Sequence, residues 1–150
     1  MKEPATIRRG GMRKRLVRFA VSGPEDYEAI FTLAKKERAN GLFLRLPQAH
    51  TPAAQRKRLI DLAAVHRLPA MYESSTFVHE GGLMSYGTDR SARYQRTAFI
   101  VDKILKGAKP GEIPVEQPTK FEFVINLKAA KQIGLTIPPN VLAKADRVIR

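Results

Sequence analysis

LFLRLPQAHTPAAQRKRLIDLAAVHRLPAMY, residues 42–72, is the stretch from which the fold class follows. Leu42 to Leu46 is a near-continuous apolar run, the pattern of a central parallel strand covered on both faces. Thr51 is placed to cap a helix, and Pro52 suits the first helical position, where no amide is needed. Leu59, Leu62 and Ala63 then fall on one face, and Pro69 to Tyr72 follows directly as another strand. Strand, helix and strand in so short a unit predict a right-handed crossover and parallel pairing.

The same grammar extends in both directions. Upstream, Leu16 to Val21 alternates, with Val17, Phe19 and Val21 on one side, and reads as a strand ended by Ser22-Gly23-Pro24. Pro24, Glu25 and Asp26 suit the start of a helix whose stripe is Tyr27, Ile30, Phe31 and Ala34 and whose end is Asn40-Gly41. Downstream, Leu83 to Tyr86 reads as a strand. Thr88 or Asp89 caps a helix with the stripe Tyr94, Ala98, Val101 and Leu105, and Gly107 stops it. Pro110, Pro114 and Pro118 preclude a regular helix before the strand Phe121 to Ile125. Asn126 caps a short helix ending at Gly134, and a last helix, with Val141, Ala145 and Val148 on one side, begins near Pro139. The fold class is therefore α/β: an open parallel sheet with helices on both faces. Residues 1–15 lack a periodic apolar pattern and read as a basic flexible arm, leaving 16–150 as the folded lobe.

Composition bounds the function. A chain of 150 residues with 43% hydrophobic content holds one ordinary core, and the absence of cysteine excludes a disulfide framework and thiolate chemistry. The net charge of +13 raises nucleic acid as a partner, but its distribution argues against one. Residues 1–18 carry seven basic side chains against the single acid Glu3, and the rest of the excess is scattered. A basic module using Arg8 to Arg18 stays as the alternative reading. The first apolar stretch, Leu16 to Val21, is interrupted by Arg18 and too short for a secretory signal, so the sequence as written reads as cytoplasmic.

In an open parallel sheet, ligands settle beyond the carboxyl ends of the strands. Four loops qualify: Ser22-Gly23, Pro47 to His50, Glu73 to Thr76, and Ser85 to Thr88. The candidate ligand-binding residues are Ser22, Gln48, His50, Glu73, Ser74, Ser75, Tyr86 and Thr88, a set able to hold a zwitterionic or aromatic solute. Each has a plainer role as well. Ser22 and Thr88 read equally as helix caps, Ser74 and Ser75 as turn residues, Glu73 as a solvated acid, and Tyr86 as an interface aromatic. Gly81-Gly82 reads as a close approach to the strand without a ligand role. His50, His66 and His79 are not spaced as zinc ligands, and no nucleophile elbow or phosphate loop is present. No catalytic residue, metal or cofactor is assigned.

The run from Leu68 to Pro138, with GGLMSYG, VDKILKGAKP and PVEQPTKFEFVINLKAAKQIGLTIP, and the ADRVI ending, resembles the ABC transporter substrate-binding proteins of the tryptophan/tyrosine-uptake type. The resemblance runs from about Val17 to Ile149 and covers only the C-terminal half of such two-lobed receptors. It implies one lobe of a periplasmic-binding-protein-like fold plus hinge-return elements. It also implies a small-molecule solute, an amino acid among them, an ABC permease as partner, and a periplasmic or cell-envelope home. Phe121 to Ile125 is expected to add a strand to the other lobe. Phe121, Phe123, Ile125, Leu135 and Ile137 are then exposed, which predicts a homodimer through that apolar surface. A remnant without function is the remaining alternative.

Overall fold

The computed structural model describes residues 2–9, 12–45 and 51–150, and it divides into two compact units, 1–39 and 40–150. In the first unit, β1 (Lys2–Arg9) and β2 (Met12–Phe19) pair antiparallel, in register from Lys2 opposite Phe19 to Arg9 opposite Met12. This corrects two expectations, the flexible arm over 1–15 and the Leu16–Val21 strand as a member of the parallel sheet. Antiparallel pairing satisfies the backbone groups of both runs, and the pair Gly10-Gly11 stands between them in the sequence, a dipeptide that hairpins favour. A 3-10 turn, Pro24–Asp26, leads into α1 (Tyr27–Lys36), whose Tyr27, Phe31 and Ala34 are buried as the stripe predicts. Arg15 Nη2 donates to Glu37 Oε2 at 2.8 Å and to the Glu37 carbonyl at 3.0 Å, joining β2 to the end of α1.

The second unit is built on β3 (Leu42–Leu44), β4 (Ala70–Tyr72), β5 (Met84–Thr88), β6 (Phe121–Asn126) and β7 (Arg147–Ile149), in that spatial order. β3, β4 and β5 are parallel, β6 runs antiparallel to β5, and β7 is parallel to β6. The sheet is thus mostly parallel, but β3 is its edge strand and Phe43 is 61% exposed, which corrects the expectation of a central strand covered on both faces: an apolar run does not say how many neighbours a strand has. α2 (Ala53–Val65) makes the first crossover and buries Leu59, Ile60, Leu62 and Ala63. Its cap position falls on Pro52, one residue beyond the expected Thr51.

A five-residue helix, α3 (Ser75–His79), makes the next connection, with Phe77 and Val78 buried. Phe77 stacks on Tyr72 with ring centroids 4.6 Å apart. A Cβ at Gly82 would meet Tyr72 Cε2 at 2.7 Å and the Phe77 carbonyl oxygen at 2.8 Å, which explains a glycine at this close approach.

The antiparallel turn between β5 and β6 is the decisive feature downstream. The chain leaves the sheet at Thr88, forms α4 (Arg90–Leu105) and a 3-10 turn at Pro110–Glu112, and returns at Phe121, the residue directly opposite Thr88. The ends of this excursion are pinned together: the Asp89 amide donates to the Lys120 carbonyl at 3.0 Å, and Lys120 Nζ pairs with Asp89 Oδ2 at 3.0 Å. No described residue from 89 to 120 is buried. The expected stripe Tyr94, Ala98, Val101 and Leu105 exists on α4, but it faces solvent rather than a core.

β6 corrects another expectation. It joins the sheet of its own lobe, with Ile125 fully buried, in a cluster with Leu83, Ala129, Ala130 and Ile137. Of the five residues expected to form an exposed apolar surface, Ile125 and Ile137 are buried, Phe123 and Leu135 are half-buried, and Phe121 alone is largely open. Asn126 ends β6 and caps α5 (Leu127–Gln132), its Oδ1 accepting from the Ala129 amide at 3.1 Å. The expected last helix is only α6 (Pro139–Leu142), and Val148 lies in β7 instead. The Asp146 amide and carboxylate both bond to Phe123, so the chain has already entered the β6 ladder before a helix can continue.

Candidate binding surface at the strand ends

Register places one row of residues beside another across the sheet. Leu44 pairs with Tyr72, Tyr72 with Ser85, Ser85 with Val124, and Val124 with Arg147. One step beyond stand Arg45 and Glu73, just past the carboxyl ends of β3 and β4, and level with them Tyr86 in the middle of β5, with Phe123 opposite Tyr86. The contacts bear out this second row. Arg45 Nε lies 3.6 Å from Glu73 Oε2, and Phe123 accepts and donates backbone bonds to Asp146. Tyr86 is about half exposed, its ring stacked on Phe121 (centroids 5.5 Å, interplanar angle 11°) and edge-on to Phe123 (6.3 Å, 75°).

The backbones here are in close contact. A Cβ at Gly87 would collide with the Glu73 carbonyl oxygen, so only glycine lets β5 pass the end of β4 at this level. That approach fixes Tyr86 beside Glu73.

The remaining candidate residues separate by role. Ser74 is buried and caps α3, its Oγ accepting from the Thr76 amide at 3.3 Å. Ser75 opens that helix and is half-buried. Thr88 ends β5 opposite Phe121, while Asp89 is the cap of α4, accepting from the Ser91 and Ala92 amides at 2.9 and 3.3 Å. Lys120 beside Asp89 holds its carboxyl below the usual aspartate range. Ser22 belongs to the first unit, where its amide donates to Asp26 Oδ2 at 2.8 Å. Gln48 and His50 lie outside the described residues.

Arg45, Phe121 and Phe123 were not among the residues chosen from the sequence. The signal for Arg45 was available: it is the one charged residue in the apolar run Leu42 to Leu46. The apolar recess bounded by Ile60, Ala63, Leu68, Tyr72, Gly82 and Ile133 contains none of the candidates.

The row combines a guanidinium, a carboxylate and a two-ring aromatic platform. A guanidinium matches a carboxylate in bidentate geometry, a carboxylate accepts from an ammonium group, and stacked rings offer a flat apolar face. Arg45 and Glu73 stand as a loose pair, the guanidinium solvent-exposed and the carboxylate half-buried. Among the described residues no helix is long and apolar enough to cross a membrane.

A mostly parallel open sheet with helices around it is an α/β lobe of the class in which ligands settle at the strand ends. The family model for ABC transporter substrate binding proteins matches residues 11–149, and the chain belongs to that family. A comparison with curated proteins finds no match. Among solved structures, a conserved domain protein from Vibrio cholerae is similar at 26% identity and a TM-score of 0.73, over 85% of this chain and 42% of its own. An ABC domain from Streptococcus pneumoniae, solved in complex with L-Trp, is similar at 27% identity and a TM-score of 0.74, over 87% of this chain and 43% of its own. The ligand-free, open structure of a Clostridium difficile substrate-binding protein with adhesive properties shares the fold at 16% identity and a TM-score of 0.59, over 86% of this chain and 42% of its own. The chain spans about two-fifths of the length of these structures.

Proposed function

We propose that this chain supplies one wall of an amino-acid-binding cleft in an ABC uptake system. Arg45 takes the solute carboxylate, Glu73 takes its ammonium group, and Tyr86 with Phe121 carries an aromatic side chain. The observation that carries this reading is the cross-strand row in which Arg45 and Glu73 stand 3.6 Å apart beside the exposed Tyr86 ring. Family membership and the L-Trp held by the Streptococcus pneumoniae relative support it. Ser75 and Thr88 flank the row and offer further hydroxyls. On this reading the partner is a membrane permease and the place of action is the cell envelope.

One wall alone binds weakly, because a shared cleft shields the solute from water on both sides. A dissociation constant of about 1 mM, worth about 4 kcal/mol, is expected for L-tryptophan. An NMR titration of the 150-residue chain tests this. Shifts should concentrate on residues 45, 73, 86 and 121, indole without the amino-acid head should bind more weakly, and Tyr86→Ala should weaken binding about tenfold, the scale of a lost aromatic contact. Shifts confined to other residues, or equal binding of indole, would overturn the assignment.

A further inference from the structure

The chain has three asparagines, Asn40, Asn126 and Asn140, and the structure sorts them by chemistry. Asn126 is buried and both ends of its amide are bonded, Oδ1 to the Ala129 amide and Nδ2 to the Val78 carbonyl. Asn140 lies in α6 before the β-branched Val141, whose amide donates to the Pro138 carbonyl at 2.9 Å. Asn40 differs on each count. It is exposed, in the bend before β3, and the residue after it is Gly41, also exposed. The Leu42 amide donates to the Pro69 carbonyl at 2.8 Å, so the Gly41 amide before it turns to the open side of an edge strand. Among the described residues neither that amide nor the Asn40 side chain has a hydrogen-bond partner.

This arrangement favours attack of the chain on itself. A glycine has no side chain to hinder the approach, and the two reacting groups sit on adjacent residues, so ring closure needs no encounter. The Gly41 amide gives up its proton, its nitrogen bonds to Asn40 Cγ, and the side-chain amino group leaves with that proton as ammonia. Water then opens the cyclic imide at either carbonyl, giving its hydroxyl to the carbon and its proton to the nitrogen. The product is aspartate or isoaspartate, and water is the co-reactant.

We propose that Asn40-Gly41 is a self-modification site at the head of β3, and that the isoaspartate formed there loosens this edge strand. β3 has three residues and a single neighbour, β4, to which the Leu42 amide ties it. Isoaspartate lengthens the backbone by a carbon just before that bond and adds a negative charge, whereas aspartate adds the charge alone. The proposal concerns the strand and does not depend on the solute.

The test incubates the whole folded chain in mild acid and in mild base and follows each asparagine by peptide mapping in a mass spectrometer. Conversion at Asn40 should run about tenfold or more faster than at Asn126 or Asn140, and about tenfold or more faster in base than in acid, because the attacking nitrogen is an anion. Gly41→Ala, whose Cβ would meet the Pro69 carbonyl oxygen at 3.3 Å, should slow it about tenfold. Amide hydrogen exchange at Leu42 should quicken about tenfold in the isoaspartyl form and change by less than about twofold in Asn40→Asp, which separates the added carbon from the added charge. Conversion of Asn40 no faster than that of Asn140 would overturn the proposal. So would conversion insensitive to pH or to Gly41→Ala, or exchange at Leu42 that aspartate quickens as much as isoaspartate does.

Discussion

At the scale of single residues, Arg56 and Glu80 make a bidentate, half-buried ion pair in the second unit. Arg56 Nε donates to Glu80 Oε2 at 2.8 Å, Nη2 reaches Oε1 at 2.5 Å, and Nη1 donates to the Thr51 carbonyl at 2.7 Å. One guanidinium thus joins the entry of α2 to the residue that ends α3. Hydrogen bonding from Arg56 holds the Glu80 carboxyl below the usual glutamate range. A carboxyl whose folded pKa is lowered contributes stability that is present above the unfolded value and is lost as pH falls through the folded one. Glu80→Gln should therefore cost about 1 kcal/mol at neutral pH, the scale of a well-formed bidentate pair near the surface. The difference from the parent should narrow as pH falls. Urea denaturation at pH 7 and at pH 3 checks this, and a difference that does not narrow at all between them assigns the effect to packing instead of charge.

At the scale of elements, Asn126 decides how β6 hands over to α5. Its Oδ1 caps the helix, and its Nδ2 donates to the Val78 carbonyl at 3.3 Å, so one buried side chain ties the end of a strand to α3. Asn126→Ala removes both bonds and should cost about 1–2 kcal/mol, whereas Asn126→Ser keeps a capping oxygen and should recover part of that in the same denaturation series. This cap was legible in the sequence, as were β3, α2 and β4, because each rests on local signals: an apolar run, a capping residue, a glycine stop. The partner of β6 was not legible. Phe121 to Ile125 has the composition of a strand in any sheet, and only the return of the excursion to Thr88 chooses β5 as its neighbour. The hairpin of β1 and β2 was missed because its basic residues obscure a pattern whose stability comes from backbone pairing. The stripe on α4 is legible as a stripe, and periodicity identifies an apolar face without identifying what covers it. At the candidate surface, the places of Glu73 and Tyr86 follow from the strand-end rule. That of Arg45 does not, because it sits inside an apolar run, and the stacking of Tyr86 on Phe121 needs the antiparallel register.

At the scale of the whole molecule, two electrostatic effects of opposite sign compete. Salt weakens the surface ion pairs, such as Arg15 with Glu37 and Lys57 with Asp61, and this lowers stability. Salt also screens the repulsion among an excess of 13 positive charges, and this raises it. Exposed pairs contribute roughly 0–1 kcal/mol each and many contribute nothing measurable, while repulsion acts among all the unpaired cations at once. Repulsion should win. Between about 0.01 M and 0.15 M salt the Debye length falls from about 30 Å to about 8 Å, short of most distances across the molecule. A gain of about 1 kcal/mol corresponds to a rise in Tm of about 2–4 °C for a chain of this size. The rise should be larger near pH 4, where protonation of carboxylates adds to the excess of positive charge. Thermal melts in a salt series at both pH values measure it, and a Tm that falls with added salt would mean that the ion pairs, and not the net charge, govern the stability of the folded chain.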